Sequence, residues 1–120
     1  MEKALQEFVT EQTKALIGAP SCCAEAKAAG EAWLKAVGTP AEAQETKAYL
    51  KELEEDIIPI DGLIGFAESE AGAKVFGGAE KAKEVAAHGR KIKAEGAKYC
   101  DCQACAACEA ILSKKAELLA

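Results

Sequence analysis

Hydrophobic residues recur every three or four positions along this chain, and nowhere do they alternate with polar residues as they would in a β-strand. The positions between them are mostly alanine, glutamate and lysine, which have high helix propensity. Glycine and proline fall between the periodic stretches and predict turns there. The pattern predicts an all-α fold with helices over residues 2–17, 21–37, 39–57, 61–76, 79–97 and 101–119.

The connections between these predicted helices are short, which favours antiparallel neighbours. We therefore expect an up-and-down helical bundle with a four-helix core and one or two extra helices. A length of 120 residues is typical of one domain, so residues 1–120 are predicted to form a single helical domain. Hydrophobic residues make up 50% of the chain, but many are alanine, which predicts a thin core between closely packed helices.

The charge of the chain narrows the range of expected partners. Its net charge is −5, and the acidic and basic residues are interleaved, as on a solvated surface. No basic stripe is present to bind phosphates, so neither nucleic acid nor an anionic membrane is an expected partner. No apolar run is long enough to cross a bilayer, and residues 1–7 lack the apolar region of a signal peptide. We therefore expect a cytoplasmic protein.

The chain contains six cysteines, which fall into two clusters. In a reducing compartment, cysteines are better explained as metal ligands or redox groups than as structural disulfides. The first cluster begins the helix predicted over residues 21–37, and the second begins the helix predicted over residues 101–119. If every loop reverses the chain, including the one at Pro59, both clusters lie at the same end of the bundle. The sequence thus predicts one metal site with six candidate ligands, which are Cys22, Cys23, Cys100, Cys102, Cys105 and Cys108.

The spacing of the second cluster limits how it binds metal. Residues three apart on a helix have Cβ atoms about 5–6 Å apart, whereas sulfurs around one zinc ion lie about 3.8 Å apart. Cys102 with Cys105, or Cys105 with Cys108, can therefore chelate one ion. Cys102 and Cys108 are separated by a rise of about 9 Å in an intact helix. Either the loop extends to about Cys105, or the site holds a cluster of several metal atoms.

The run Cys102-x2-Cys105-x2-Cys108 resembles the opening of the bacterial ferredoxin motif. That motif takes its fourth ligand from elsewhere in the chain, a role that Cys22 or Cys23 could fill. The motif's second cysteine run, which ends in Cys-Pro, is missing here, so the spacing indicates a cluster rather than a ferredoxin fold. An iron–sulfur cluster and zinc are the first two candidate cofactors, and copper(I) is the third, because soft thiolates suit it.

Both cysteine clusters lie at predicted helix N-termini. The positive end of a helix dipole favours thiolate over thiol. We therefore expect a lowered pKa for the thiols of Cys22, Cys23, Cys100 and Cys102. Two such helix ends would offset part of the negative charge of a thiolate site.

Two other classes of function stay open. The first is a thiol/disulfide redox protein whose reactive pairs are Cys22 with Cys23 and Cys100 with Cys102; the second is an interaction module with buried cysteines. No catalytic constellation is apparent, because a nucleophilic cysteine is usually activated by a nearby histidine. The chain's only histidine, His88, is predicted to lie in mid-helix, away from the cysteines.

Two further stretches complete the picture. The acidic run Glu52, Glu54, Glu55 and Asp56 is interpreted as a solvated face. Residues 56–64 and 99–109 resemble the corresponding stretches of a family of small, cysteine-rich, helical bacterial proteins, and the resemblance covers nearly the whole chain. Some members carry a heat-shock chaperone label, but no nucleotide-binding loop is present here. The resemblance implies a bacterial origin and little about activity.

Overall fold

The computed structural model describes residues 2–120, which contain eight helices and no β-strand. The prediction of an all-α fold is confirmed. No helix in this part of the chain combines the length and the apolar character that a membrane span needs. The helices are α1 (Lys3–Gly18), α2 (Ala24–Ala36), α3 (Glu42–Asp56), α4 (Ile60–Ala67), α5 (Glu70–Val75), α6 (Ala79–Ala94), α7 (Gln103–Leu112) and α8 (Lys115–Leu118).

Two of the six predicted helices are each divided into two. The helix predicted over residues 61–76 breaks at Ser69, whose hydroxyl accepts a hydrogen bond from the backbone N–H of Gly72 at 3.1 Å and so caps α5. This is the local bonding by which serine competes with a continuous helix. The helix predicted over residues 101–119 ends at Leu112, and α8 forms a separate turn.

The chain divides into two units. The first unit comprises the chain up to Ile57 together with Asp101–Ala120, and it contains α1, α2, α3, α7 and α8. The second unit is Ile58–Cys100, which contains α4, α5 and α6. In chain order the second unit is therefore an insertion between α3 and α7. That residues 1–120 act as a single domain stays a prediction.

Four helices of the first unit form a closed ring, in which α1 and α3 each contact both α2 and α7. Helices α1 and α7 are antiparallel, because Gln103 at the start of α7 donates a hydrogen bond to the carbonyl of Ala15, near the end of α1. At the other end of the pair, the Lys114 ammonium lies 5.8 Å from the centre of the Phe8 ring. The predicted four-helix core is thus confirmed.

Helices α1 and α3 run in the same direction. Gln6 near the start of α1 hydrogen-bonds to Glu42 at the start of α3, and about two turns later the Thr13 and Tyr49 hydroxyls are 2.8 Å apart. Helix α2 connects the end of α1 to the start of α3, so the first three helices alternate in direction and α7 runs with α2. The starts of α2 and α7 consequently lie at the same end of this unit.

Polar groups in the core of the first unit are satisfied by one another. Trp33 is fully buried, its ring stacks on Tyr49, and its Nε1 donates to the Thr46 hydroxyl at 3.0 Å. Tyr49 in turn hydrogen-bonds to the fully buried Thr13. This chain of contacts connects α1, α2 and α3, and Leu16, Leu50, Leu53 and Ile111 fill the space around it.

The first and last residues of the second unit are hydrogen-bonded to each other. Its first residue, Ile58, accepts a hydrogen bond from the backbone N–H of its last residue, Cys100, at 2.8 Å. The N–H of Ile60 donates to the carbonyl of Lys98 at 2.9 Å, which completes an antiparallel bridge between Pro59 and Tyr99. The three helices between these ends pack against one another. Pro59 therefore lies in a short extended pairing rather than within a kinked helix.

We expect Thr13→Val to destabilise the protein by roughly 1–2 kcal/mol, because it leaves the buried Tyr49 hydroxyl without its partner. Thr10→Val is the matched control. Thr10 is one turn earlier on α1, is only half-buried and hydrogen-bonds within its own helix to Gln6, so its loss should cost less than about 0.5 kcal/mol. Urea unfolding followed by Trp33 fluorescence measures both, and equal effects would contradict the assigned role of Thr13.

Candidate metal centre

Cysteine sulfurs cap the first turns of both α2 and α7. The Cys23 sulfur accepts a hydrogen bond from the backbone N–H of Ala26 at 3.4 Å, and the Cys102 sulfur accepts one from Cys105 at 3.4 Å. Both capping residues have the extended backbone of an N-cap. Cysteine therefore takes the place that serine or aspartate usually occupies at a helix start.

Ser21 connects the two helix starts. The helix predicted over residues 21–37 begins at Ala24 with Cys23 as its cap, and the Ser21 hydroxyl accepts a hydrogen bond from the backbone N–H of Ala104 at 3.4 Å. This contact joins the loop before α2 to the first turn of α7. It places the stretch that contains Cys22 and Cys23 beside the start of α7.

Three cysteines are close enough to bind a metal ion. The sulfurs of Cys100, Cys102 and Cys105 all lie within 4.8 Å of one another, and we call this group the three-thiol cluster. The closeness is local, because the residues lie within six positions of the chain and Cys105 is in the first turn of α7. Sulfurs around one zinc ion are about 3.8 Å apart, so a small contraction would suffice to ligate it.

The three-thiol cluster is largely shielded from solvent. Cys100 and Cys105 are buried, with 6% and 5% of their surface exposed, and Cys102 is half-buried. Shielding of this kind strengthens the electrostatic attraction between thiolates and a bound cation. Cys108, one turn further along α7, is also buried but is outside the group of mutually close sulfurs in residues 2–120. This agrees with the helical rise expected between positions 102 and 108.

The remaining cysteines lie within electrostatic range of the cluster. Burial, followed by the negative charges of Cys22, Asp56, Cys23 and Cys102, raises the pKa of the Cys108 thiol to about 12. Cys22 is half-buried and Cys23 is exposed. Whether these residues share one metal with the three-thiol cluster stays a prediction.

The expected lowering of thiol pKa at the helix starts is wrong for Cys22 and Cys23. Burial is the largest cause of a raised pKa at both, and nearby negative groups add to it. The backbone N–H of Ala26 lowers the pKa of Cys23, and the Lys27 ammonium lowers that of Cys22, but neither offsets the increase. One hydrogen bond and one lysine are insufficient because burial, together with the nearby negative groups, raises the pKa by more than they lower it.

Asp56 is a charged neighbour of the cysteines that the sequence interpretation missed. It is the last residue of α3, and its Oδ2 is buried and accepts no hydrogen bond from residues 2–120. Its charge raises the pKa of Cys22, Cys23 and Cys108, after burial in each case. The helical spacing of hydrophobic residues could have indicated that Asp56 faces inward, because position 56 continues the buried stripe of Tyr49 and Leu53. The interpretation of this residue as part of a solvated face is therefore wrong.

Comparisons with protein-family models, with curated proteins and with solved structures find no match to this chain. The resemblance to a bacterial family therefore stays a prediction.

His88 is exposed on α6 in the second unit and is outside the three-thiol cluster. The geometry thus offers sulfur ligands, which suit soft metals such as zinc, iron in clusters and copper(I).

In the reduced, metal-free protein, we expect iodoacetamide to modify Cys23 at least ~100-fold faster than Cys108 at pH 8, because only the thiolate reacts. Cys23 is exposed, whereas Cys108 is buried and has its pKa raised to about 12. The Cys108 rate should rise with pH up to that value, since the thiolate fraction rises. Peptide mass spectrometry measures both rates. Equal rates at pH 8 would mean that α7 does not shield Cys108.

Proposed function

We propose that this chain is a metal-binding protein that holds a soft metal ion or a metal cluster in a thiolate site. The observation that carries this proposal is the three-thiol cluster, whose sulfurs are all within 4.8 Å of one another. Four cysteines within nine residues of an alanine-rich stretch far exceed ordinary usage. Packing alone does not require sulfur at these positions, whereas soft-metal ligation does.

The proposed ligand set contains all six cysteines. The three-thiol cluster supplies three, and a tetrahedral zinc ion or a four-iron cluster requires a fourth. Cys22, Cys23 and Cys108 are the candidates for the fourth ligand and for any further metal atoms. The hydrogen bond between Ser21 and Ala104 supports their participation, because it holds the first cysteine pair beside the start of α7.

An iron–sulfur cluster and zinc are the two forms that we favour, with copper(I) third. Each form uses thiolate ligands, and each gives the protein a different task, namely carrying a cluster, transferring electrons or storing metal. Bound metal would also stabilise the fold, because it cross-links the start of α7 and binds the folded state in preference to the unfolded chain. Removal of the metal by a chelator should therefore lower the stability of the fold.

The test is anaerobic purification followed by elemental analysis and an absorption spectrum. We expect at least one equivalent of iron with sulfide, of zinc or of copper per chain, and a fall in Tm on adding chelator. The triple variant C100S/C102S/C105S should bind the metal at least ~100-fold more weakly. Ala106→Ser is the control, because it adds a hydroxyl to the exposed side of the same helix and removes no sulfur.

The opposite result has a distinct signature. A protein without metal whose thiols disappear reversibly in pairs on oxidation would be a disulfide redox protein. A protein without metal whose Tm ignores both chelator and oxidant would be an interaction module with buried cysteines. Either outcome would overturn the proposal of metal binding.

A further inference from the structure

The Asp56 carboxylate lies at the cysteine end of the first unit with one oxygen unused. Its Oδ2 is excluded from solvent and accepts no hydrogen bond from the described part of the chain, residues 2–120. A buried, unpartnered acceptor costs roughly 1–3 kcal/mol, and more when it is charged. A buried polar group without a partner usually has a functional explanation, and a bound cation is one of the few partners that can offset its energetic cost.

The surroundings of Asp56 favour a cation in particular. The thiols of Cys22, Cys23 and Cys108 are all within range of its charge. Glu52 lies one turn earlier on α3 and forms a side-chain hydrogen bond with Asp56. This hydrogen bond is the largest cause of the raised pKa of the Glu52 carboxyl group. The carboxyl groups of Asp56 and Glu52 on α3 therefore lie near thiols from the loop before α2 and from α7, and the Lys27 ammonium is a positive charge near Cys22. Deprotonation of these thiols beside the Asp56 charge would be repulsive without a positive ion.

We propose that Asp56 is an oxygen ligand of the metal site, so that the site combines thiolates with a carboxylate and prefers zinc(II) to copper(I). This inference rests on the proposed function. Zinc accepts aspartate oxygen alongside cysteine sulfur, whereas copper(I) selects soft sulfur ligands. Zinc also offsets two negative charges and copper(I) only one. A carboxylate near the thiols therefore favours the divalent ion over the monovalent one.

Ligation by Asp56 is accessible from the observed arrangement. The group of mutually close ligand atoms in residues 2–120 contains only the three-thiol cluster, so the Asp56 side chain must turn towards the metal. Its Oδ2 has no hydrogen bond to lose, so only the side-chain hydrogen bonds that Asp56 forms with Glu52 and Cys23 would have to rearrange. The carboxylate is at the C-terminal end of α3, where side-chain rotation leaves the helix intact.

The test compares zinc and copper(I) affinities of the full-length wild type with those of Asp56→Asn, measured by competition with chromophoric chelators. We expect the variant to bind zinc about tenfold or more weakly and to keep its copper(I) affinity within about threefold. Asp56→Glu should keep most of the zinc affinity, because it retains the carboxylate. Glu55→Gln is the matched control, since it removes the neighbouring, exposed charge, and it should change neither affinity by more than about threefold.

A second set of measurements distinguishes the loss of a ligand from a folding defect. Apo Asp56→Asn should unfold at a urea concentration no lower than the wild type, because the substitution removes the charge from a buried oxygen that has no hydrogen-bond partner in residues 2–120. Cobalt(II) bound in place of zinc should keep its thiolate charge-transfer bands in the variant but shift its ligand-field bands. If the wild type binds zinc and Asp56→Asn binds it as tightly as Glu55→Gln does, the oxygen ligand is refuted and the thiolate site survives. If the wild type binds no metal, the proposed function fails together with the inference.

Discussion

The site depends on one constraint, which is that α2 and α7 begin at the same end of the first unit. Four helices alternate in direction around the first unit, so α2 and α7 run the same way. The hydrogen bond between the Ser21 hydroxyl and the backbone of Ala104 joins their first turns. Because cysteines occupy both starts, a bundle held together by ordinary apolar packing and by the Trp33, Tyr49 and Thr13 contacts also gathers sulfur at one end.

Gathering thiols in this way carries an electrostatic cost. Burial, and after it nearby negative groups that include Asp56, raise the pKa of Cys22, Cys23 and Cys108, so these three residues favour the protonated thiol in the absence of metal. A metal must displace those protons, and its affinity is therefore expected to increase with pH. Asp56 adds a further negative charge where a purely structural cluster would gain nothing from it. The arrangement is unfavourable when empty and favourable around a cation, which is the property expected of a binding site.

Most of the helical architecture could be predicted from the sequence, because the spacing of hydrophobic residues is a local signal. The breaks at Ser69 and after Leu112 could not, since each depends on one side chain or on one turn of backbone rather than on periodicity. The closeness of Cys100, Cys102 and Cys105 follows from their short separation in the chain. The burial of the Asp56 carboxylate oxygen was hidden by its acidic neighbours in the sequence, although its helical register with Leu53 pointed inward. Its unpartnered oxygen depends on packing between distant segments, which no single stretch of sequence encodes.

The most direct test of the central claim is the alkylation pattern of the protein loaded with one equivalent of metal. If the two cysteine stretches bind one metal, the loaded protein should show protection of Cys22 or Cys23 together with Cys102, relative to the metal-free protein. Peptide mass spectrometry would follow each site separately. Protection of Cys102 alone, with Cys22 and Cys23 as reactive as in the metal-free protein, would contradict a shared site.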